Sequence, residues 1–352
     1  MTTSTVTTPT AEQFGERLFG AVLGAQFAQA AYLGDRLGWY RALAADGPLT
    51  PAELAARTAT AERYAREWCE HQAVCGVLLV EDGRFTLPPG PAEVLTDELS
   101  TAFVMPLARM AVGFGRQVDA LVAAYRSGGG VHWDDFGTDA REGQAAANRP
   151  LFLGPVAREY LPSVPDVARV LDGGGRVADI GCGYGWSAIG LALAHPGVTV
   201  DGYDLDGPSV EAARRNAVEA GVADRVRFHL ADAGTATGTY DVVVAFECIH
   251  DLPDPVGVLA AMRRLSGDRG VVVVMDERVA EEFTAPGDEV EQLMYGYSLM
   301  CCLPDGMAHA GSVGTGTVMR PDTLRRYARD AGFDGAEVLP IEDAFFRFYR
   351  LA

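Results

Sequence analysis

The segment from Val177 to Gly185, VADIGCGYG, restricts the fold more than any other stretch of this chain. An apolar run ends in Asp179-Ile180, and three glycines then alternate through Gly181, Gly183 and Gly185 before a helical pattern opens at Trp186. Glycines at this spacing let the backbone turn sharply and press against a ligand that a Cβ would displace. The G-x-G-x-G rhythm differs from the G-x-G-x-x-G of a dinucleotide loop, because position 186 is tryptophan. Asp179 is placed to hold the loop and to accept from a cationic amine.

The surroundings of the loop repeat one theme. Apolar runs at 176–180, 198–203, 226–230, 240–246 and 270–275 alternate with helical patterns at 186–194, 208–220 and 255–265. Continuous rather than alternating apolar runs read as parallel strands buried on both faces. Such βαβ alternation predicts a doubly wound parallel sheet. A further helix over 321–331 and two β-like runs at 336–339 and 345–350 complete the pattern. Two more acids stand at successive strand ends. Asp204 follows the second strand, where a carboxylate accepts ribose hydroxyls, with Asp206 a weaker alternative. Asp232 follows the third, where a carboxylate accepts from an adenine amino group. Cys182, Leu205, Ala233 and Glu247 neighbour these positions and complete the expected cofactor contacts.

The first part of the chain reads differently. Residues 1–10 are expected to be a disordered tail and lack the basic and apolar regions of a signal peptide. A helix is predicted over 11–45, and Thr50-Pro51 with Glu53 forms a capping-box signature for the next. A helix at 61–76 and a hairpin about Asp82-Gly83 follow, which is the order of a winged helix. A long helix is predicted over 101–125. The boundaries expected are a winged-helix-like dimerisation domain over 11–126, a linker and connecting helix over 127–165, with a helix near 141–160, and the cofactor domain over 166–352.

Charge bears on partners. The net charge is −19, and the chain has no lysine. Across residues 1–150 arginines are outnumbered by acids, and the helix that would enter a DNA groove carries Glu62, Glu67 and Glu70 beside Arg63 and Arg66. A DNA reader needs a basic footprint, so a structural or dimerising role is expected, without nucleic acid. Leu18 to Gly34 carries no charge but is too short and too rich in glycine and glutamine for a membrane span, and reads as a buried or subunit-contacting helix. Six scattered cysteines fit reduced thiols in a cytoplasmic protein.

By the glycine loop and the acids Asp179, Asp204 and Asp232, the chain resembles the class I S-adenosylmethionine-dependent methyltransferases over about residues 170–352. Joined to the winged helix, it is similar to the O-methyltransferases of plant phenolic and bacterial natural-product pathways, closest to actinobacterial members. The resemblance implies a Rossmann-like seven-stranded sheet with an antiparallel last strand. It also implies S-adenosylmethionine as cofactor and a homodimer whose N-terminal domain lids the partner's site. FECIHDLPDP, residues 246–255, resembles the segment in which a His-Asp pair follows the fourth strand, so His250 is expected as general base with Asp251 beside it. Asp276 maps onto the carboxylate that orients the base, with Glu277 adjacent. Val318 stands where a second orienting carboxylate belongs, and Leu252 where a tryptophan is usual.

Methyl transfer is an in-line displacement that needs alignment and, for a hydroxyl acceptor, removal of a proton. An imidazole titrating near neutrality suits that task. The segment 292–309 is rich in methionine, aromatic and cysteine side chains. Tyr295, Tyr297, Met300, Cys301 and His309, with Trp133 and Phe152, are therefore candidates for the acceptor pocket. No two of His132, His250 and His309 stand at a ligand spacing visible in the sequence, so no metal centre is expected. Two other readings stay open at this point: a cofactor-binding protein of the pericyclase kind that does not methylate, and a ligand-sensing winged-helix regulator.

Overall fold

The computed structural model describes residues 8–352, so most of the expected tail lies outside the described residues. Within them, Thr10 does not fray. Its Oγ1 accepts from Gln13 N–H at 3.2 Å while its own N–H donates to Gln13 Oε1 at 2.9 Å, a capping box that starts α1 (Ala11–Arg36). The chain divides into two compact units that meet between Val112 and Gly113, so the glycine-rich segment 127–137 falls inside the second unit.

The first unit continues with α2 (Trp39–Asp46), α3 (Pro51–Thr58), α4 (Glu62–Val74), the hairpin β1 (Leu79–Glu81) and β2 (Arg84–Thr86), and α5 (Pro89–Thr96). The predicted signals act as expected. Thr50 and Glu53 cap α3 reciprocally with Pro51 in its first turn, and Asp82 and Gly83 take positive φ in the hairpin turn. Gly34 lets α1 meet Trp68, because a Cβ there would come within 2.4 Å of the indole. Arg63 and Arg66 pair along their own helix with Glu67 and Glu62.

The helix predicted over 101–125 is two helices, α6 (Met105–Gly115) and α7 (Val118–Ser127). The break follows Gly113 and Gly115: Arg116 N–H and Gln117 N–H fall back on the carbonyls of Gly113 and Phe114 in tight turns. The helix expected near 141–160 starts earlier, as α8 (Trp133–Leu151), kinked where Gly137 takes φ 73°, and continues as a widened π-type segment, Phe152–Tyr160. Pro155 supplies no N–H and crowds the preceding turn, so regular winding cannot pass through it.

The rest of the second unit is the expected alternation: α9 (Pro165–Gly173), β3 (Arg176–Ile180), α10 (Trp186–Ala194), β4 (Thr199–Asp204), α11 (Gly207–Glu219), β5 (Val226–Leu230), β6 (Val242–Phe246), α12 (Pro255–Ser266) and β7 (Val271–Glu277). Then come α13 (Glu289–Tyr297), a π-type turn at Ser298–Cys302, α14 (Leu303–Met307), α15 (Pro321–Asp330), β8 (Ala336–Val338) and β9 (Phe346–Leu351). The sheet order is β5-β4-β3-β6-β7-β9-β8, with the first five strands parallel and β9 antiparallel to both neighbours. This is a Rossmann-like seven-stranded sheet. Val242, Val243, Val244 and Ala245 of β6 are fully buried, which explains why this strand shows no alternation. The order reverses between β3 and β6, so the crevice of an open α/β sheet lies at their carboxyl ends. No helix among the described residues is long and apolar enough to cross a membrane.

Candidate functional site

Gly181, Gly183 and Gly185 all take positive φ, 70°, 48° and 78°. Their reasons differ. A Cβ on Gly181 would lie 2.8 Å from Cys248 Sγ, and one on Gly185 would lie 2.3 Å from the Phe228 ring, so these two glycines serve packing beneath the loop. Gly183 alone borders open space, the place where a ligand can approach the backbone. Cys182 points inward, buried in the core, and burial pushes its thiol well above the usual range.

Asp179 is buried and holds the loop. It accepts from Ser187 Oγ and from the Ala188 N–H, and burial raises its carboxyl to about 7. Asp204 accepts from Gly183 N–H and Asp206 N–H, both at 2.8 Å, and burial raises it too. The carboxylate keeps some acceptor capacity for a ligand hydroxyl beyond these backbone bonds and one from Leu205. Asp206 is otherwise engaged: Arg141 grips it through Nε at 2.8 Å and Nη2 at 2.9 Å, and Ser209 N–H donates to it at 3.0 Å at the start of α11. Asp232 is exposed and accepts from Gly234 N–H at 2.7 Å, with Ala233 buried and Leu205 exposed nearby.

The second half of the site hangs from β6 and β7, which pair in register as Phe246↔Met275. Glu247 N–H donates to Met275 O at 2.8 Å, and Glu247 takes φ 52°, a strained conformation for a residue with a side chain. Its Oε2 accepts from Gln144 Nε2 at 3.1 Å, and burial pushes its carboxyl to about 8. His250 is only 2% exposed. Its Nδ1 stands 2.7 Å from Asp276 Oδ1 and 2.9 Å from Glu277 Oε2, and its Nε2 stands 3.0 Å from Asp251 Oδ1. Burial disfavours the imidazolium, but Asp251, Glu277 and Asp276 outweigh it and hold His250 well above its ordinary value. Burial opposes both flanking charges as well. The imidazolium keeps Asp276 ionised below its usual value, and Glu277, buried beside it, is driven well upward.

Two expectations change here. The second carboxylate beside His250 is that of Glu277, whereas position 318 holds a half-buried valine. His250 is also held above the ordinary imidazole value, because three acids surround it. Glu277 joins Asp276 on His250 although adjacent strand residues ordinarily face opposite ways. Arg141, 65 positions from Asp206, left no sequence signal at all.

The acceptor candidates separate. Trp133 tilts against Phe136, and Phe136 and Tyr297 each meet Phe114 edge to face, with ring centroids 6.4, 5.6 and 6.3 Å apart. Burial raises the Tyr297 phenol to about 12, with the charges of Cys302, Glu247 and Glu277 adding to it. Cys301 is buried and Met300 half-buried, while Tyr295 is at the surface and accepts from Arg320 Nη2 at 3.3 Å. Phe152 sits in the core against Phe246, 5.6 Å between centroids. His309 is exposed and faces His132.

A family model described as a methyltransferase domain matches residues 152–338, more than half of the chain. The ubiquinone biosynthesis O-methyltransferase of Ralstonia nicotianae is 28% identical over 193 residues, covering 54% of this chain and 74% of the relative. Among solved structures, mitomycin 7-O-methyltransferase matches with a TM-score of 0.71 at 22% identity, over 97% of this chain and 98% of that one. A methyltransferase of calicheamicin biosynthesis, solved with S-adenosylhomocysteine bound, matches with a TM-score of 0.66 at 22% identity, over 98% and 99%. At these identities the structural likeness is one of fold.

Proposed function

This chain belongs to the methyltransferase domain family, and from that premise we propose that it transfers a methyl group from S-adenosylmethionine to a hydroxyl of a small secondary metabolite, with His250 as general base. The juxtaposition of His250 and Asp276 at the sheet edge that carries the glycine loop supports this reading most directly. The residues fit the donor. Open space beside Gly183 admits the cofactor, Asp204 has lone pairs left for ribose hydroxyls, and exposed Asp232 is available to an adenine amino group. When bound, the donor supplies a methyl group on a sulfonium centre. Asp276 holds Nδ1, which leaves Nε2 as the nitrogen that takes the acceptor proton. Asp251 beside Nε2 steadies the imidazolium that results. Labelled S-adenosylmethionine offered with a panel of phenols and enols should give labelled methyl ethers. Transfer to amines or carbon acids alone would overturn the hydroxyl reading.

Asp204→Ala should weaken S-adenosylhomocysteine binding by about tenfold to a hundredfold, the loss of charge-assisted hydrogen bonds worth about 1.5–3 kcal/mol. Calorimetry on the variant checks this, and an unchanged affinity removes Asp204 as the ribose acceptor.

The reading includes a homodimer. Phe14, Leu18, Phe19, Val22 and Leu23 along α1 are exposed, an apolar patch of a kind that marks an interaction surface. Full-length protein at micromolar concentration should sediment as a dimer, and Leu18→Glu with Phe19→Glu should shift it to monomer. A native protein that sediments as a monomer refutes the homodimer.

A further inference from the structure

His132, Asp305 and His309 have no part in the proposed chemistry, yet the fold of the second unit gathers them. One ligand atom from each lies within 4.8 Å of the other two. We propose that these three residues bind a divalent first-row transition metal ion, with Zn²⁺ the best match.

The gathering is built by the backbone. Gly130 lies so close to α14 that a Cβ would come 2.1 Å from Pro304 O and 2.2 Å from Ala308 N, so only glycine permits this approach. Val131 N–H donates to Pro304 O at 3.0 Å and fixes the contact. His132, the residue that precedes α8, is thereby delivered to the end of α14. Asp305 lies in α14 and His309 two residues past its end, and the closing turn, in which His309 N–H donates to Gly306 O, brings the two side chains to one place. The two imidazoles meet edge to face at 5.1 Å, and His309 Nε2 stands 4.0 Å from Asp305 Oδ1. Ligands on tetrahedral zinc are roughly 3.3 Å apart, given bonds near 2.0–2.1 Å. Modest rotation of two exposed rings closes that gap.

The carboxylate is already oriented. Trp133 N–H donates to Asp305 Oδ1 at 2.7 Å, the kind of outer hydrogen bond that positions metal ligands. Two imidazoles with one carboxylate select zinc and its neighbours over Mg²⁺ or Ca²⁺, which prefer all-oxygen sets. Three protein ligands leave a fourth position for water or an exogenous donor.

The test uses full-length protein without a histidine tag, stripped with chelator and titrated with Zn²⁺ against a chromophoric competitor. The expected result is one Zn²⁺ per chain with a Kd of about 10 μM or tighter, and no competition from Mg²⁺ at equal concentration. His132→Ala, His309→Ala and Asp305→Asn should each weaken binding at least about tenfold. Cys302→Ser should bind like the native protein, because Cys302 belongs to a separate group with His250 and Asp251. Binding no tighter than about 100 μM, binding indifferent to His132→Ala and His309→Ala, or binding abolished by Cys302→Ser each overturns the proposal. The readout is metal affinity, so it stands or falls apart from methyl transfer.

Discussion

His250→Ala is expected to lower kcat by about a hundredfold to ten-thousandfold while S-adenosylhomocysteine affinity stays as in the native protein. The three acids around the imidazole would stabilise the proton it takes, and Glu277, itself driven upward, is the competing proton site. The pH profile carries the sharper test. Only neutral imidazole accepts a proton, and Asp251, Glu277 and Asp276 favour the charged form despite burial. Activity should therefore rise with pH, and the rise should lie above the ordinary imidazole range. Asp276→Asn removes one of those charges while keeping an acceptor for Nδ1. Its rise should move to lower pH, with a maximal rate smaller than that of the native protein but well above that of His250→Ala. Near-native turnover in His250→Ala would leave alignment as the only catalytic device.

Arg141→Met should lower stability by about 3–5 kcal/mol, the cost of stranding a buried charge whose partner is removed. Side chains of both residues are more than nine-tenths buried, and the guanidinium holds Asp206 through two hydrogen bonds. Burial alone would push Asp206 upward, yet Arg141 and Ser209 keep it below its usual value. A carboxyl with a lowered folded value contributes stability above its unfolded value near 3.9, and that contribution disappears as pH falls through the folded value. The penalty should therefore be full at pH 7 and shrink below about pH 4. Calorimetric Tm at pH 7 should fall by roughly ten degrees or more for a unit of this size. Arg141→Met with Asp206→Leu should recover most of the loss, since no buried charge remains. An unaltered Tm in the single variant shows that the pair adds nothing. Asp206 N–H also donates to Asp204, so the single variant should weaken cofactor binding as well.

Much of the architecture was legible from local pattern alone. The buried strands, the helices between them and the glycine loop depend on a few consecutive residues, and the physics that shapes them, backbone sterics and the apolar period, acts over the same short range. Capping at Thr50 and the hairpin at Asp82-Gly83 were readable for that reason. The pattern failed where one local rule overrode another. Helical periodicity ran through Gly115 to Val118, but glycine there permits a break, and Pro155 turns a predicted regular helix into a widened one. The site divides along the same line. Asp179, Asp204 and His250 stand at strand ends, positions that a linear pattern marks. Much of what surrounds the site arrives from elsewhere in the chain: Arg141 on Asp206, Gln144 on Glu247, Glu277 on His250, and His132 beside Asp305 and His309. Sequence determined which residues end strands and turn loops, because those choices are made between neighbours. Only the tertiary structure decided how those residues ionise and what surrounds them, because burial and charge act through space between residues whose separation along the chain carries no signal.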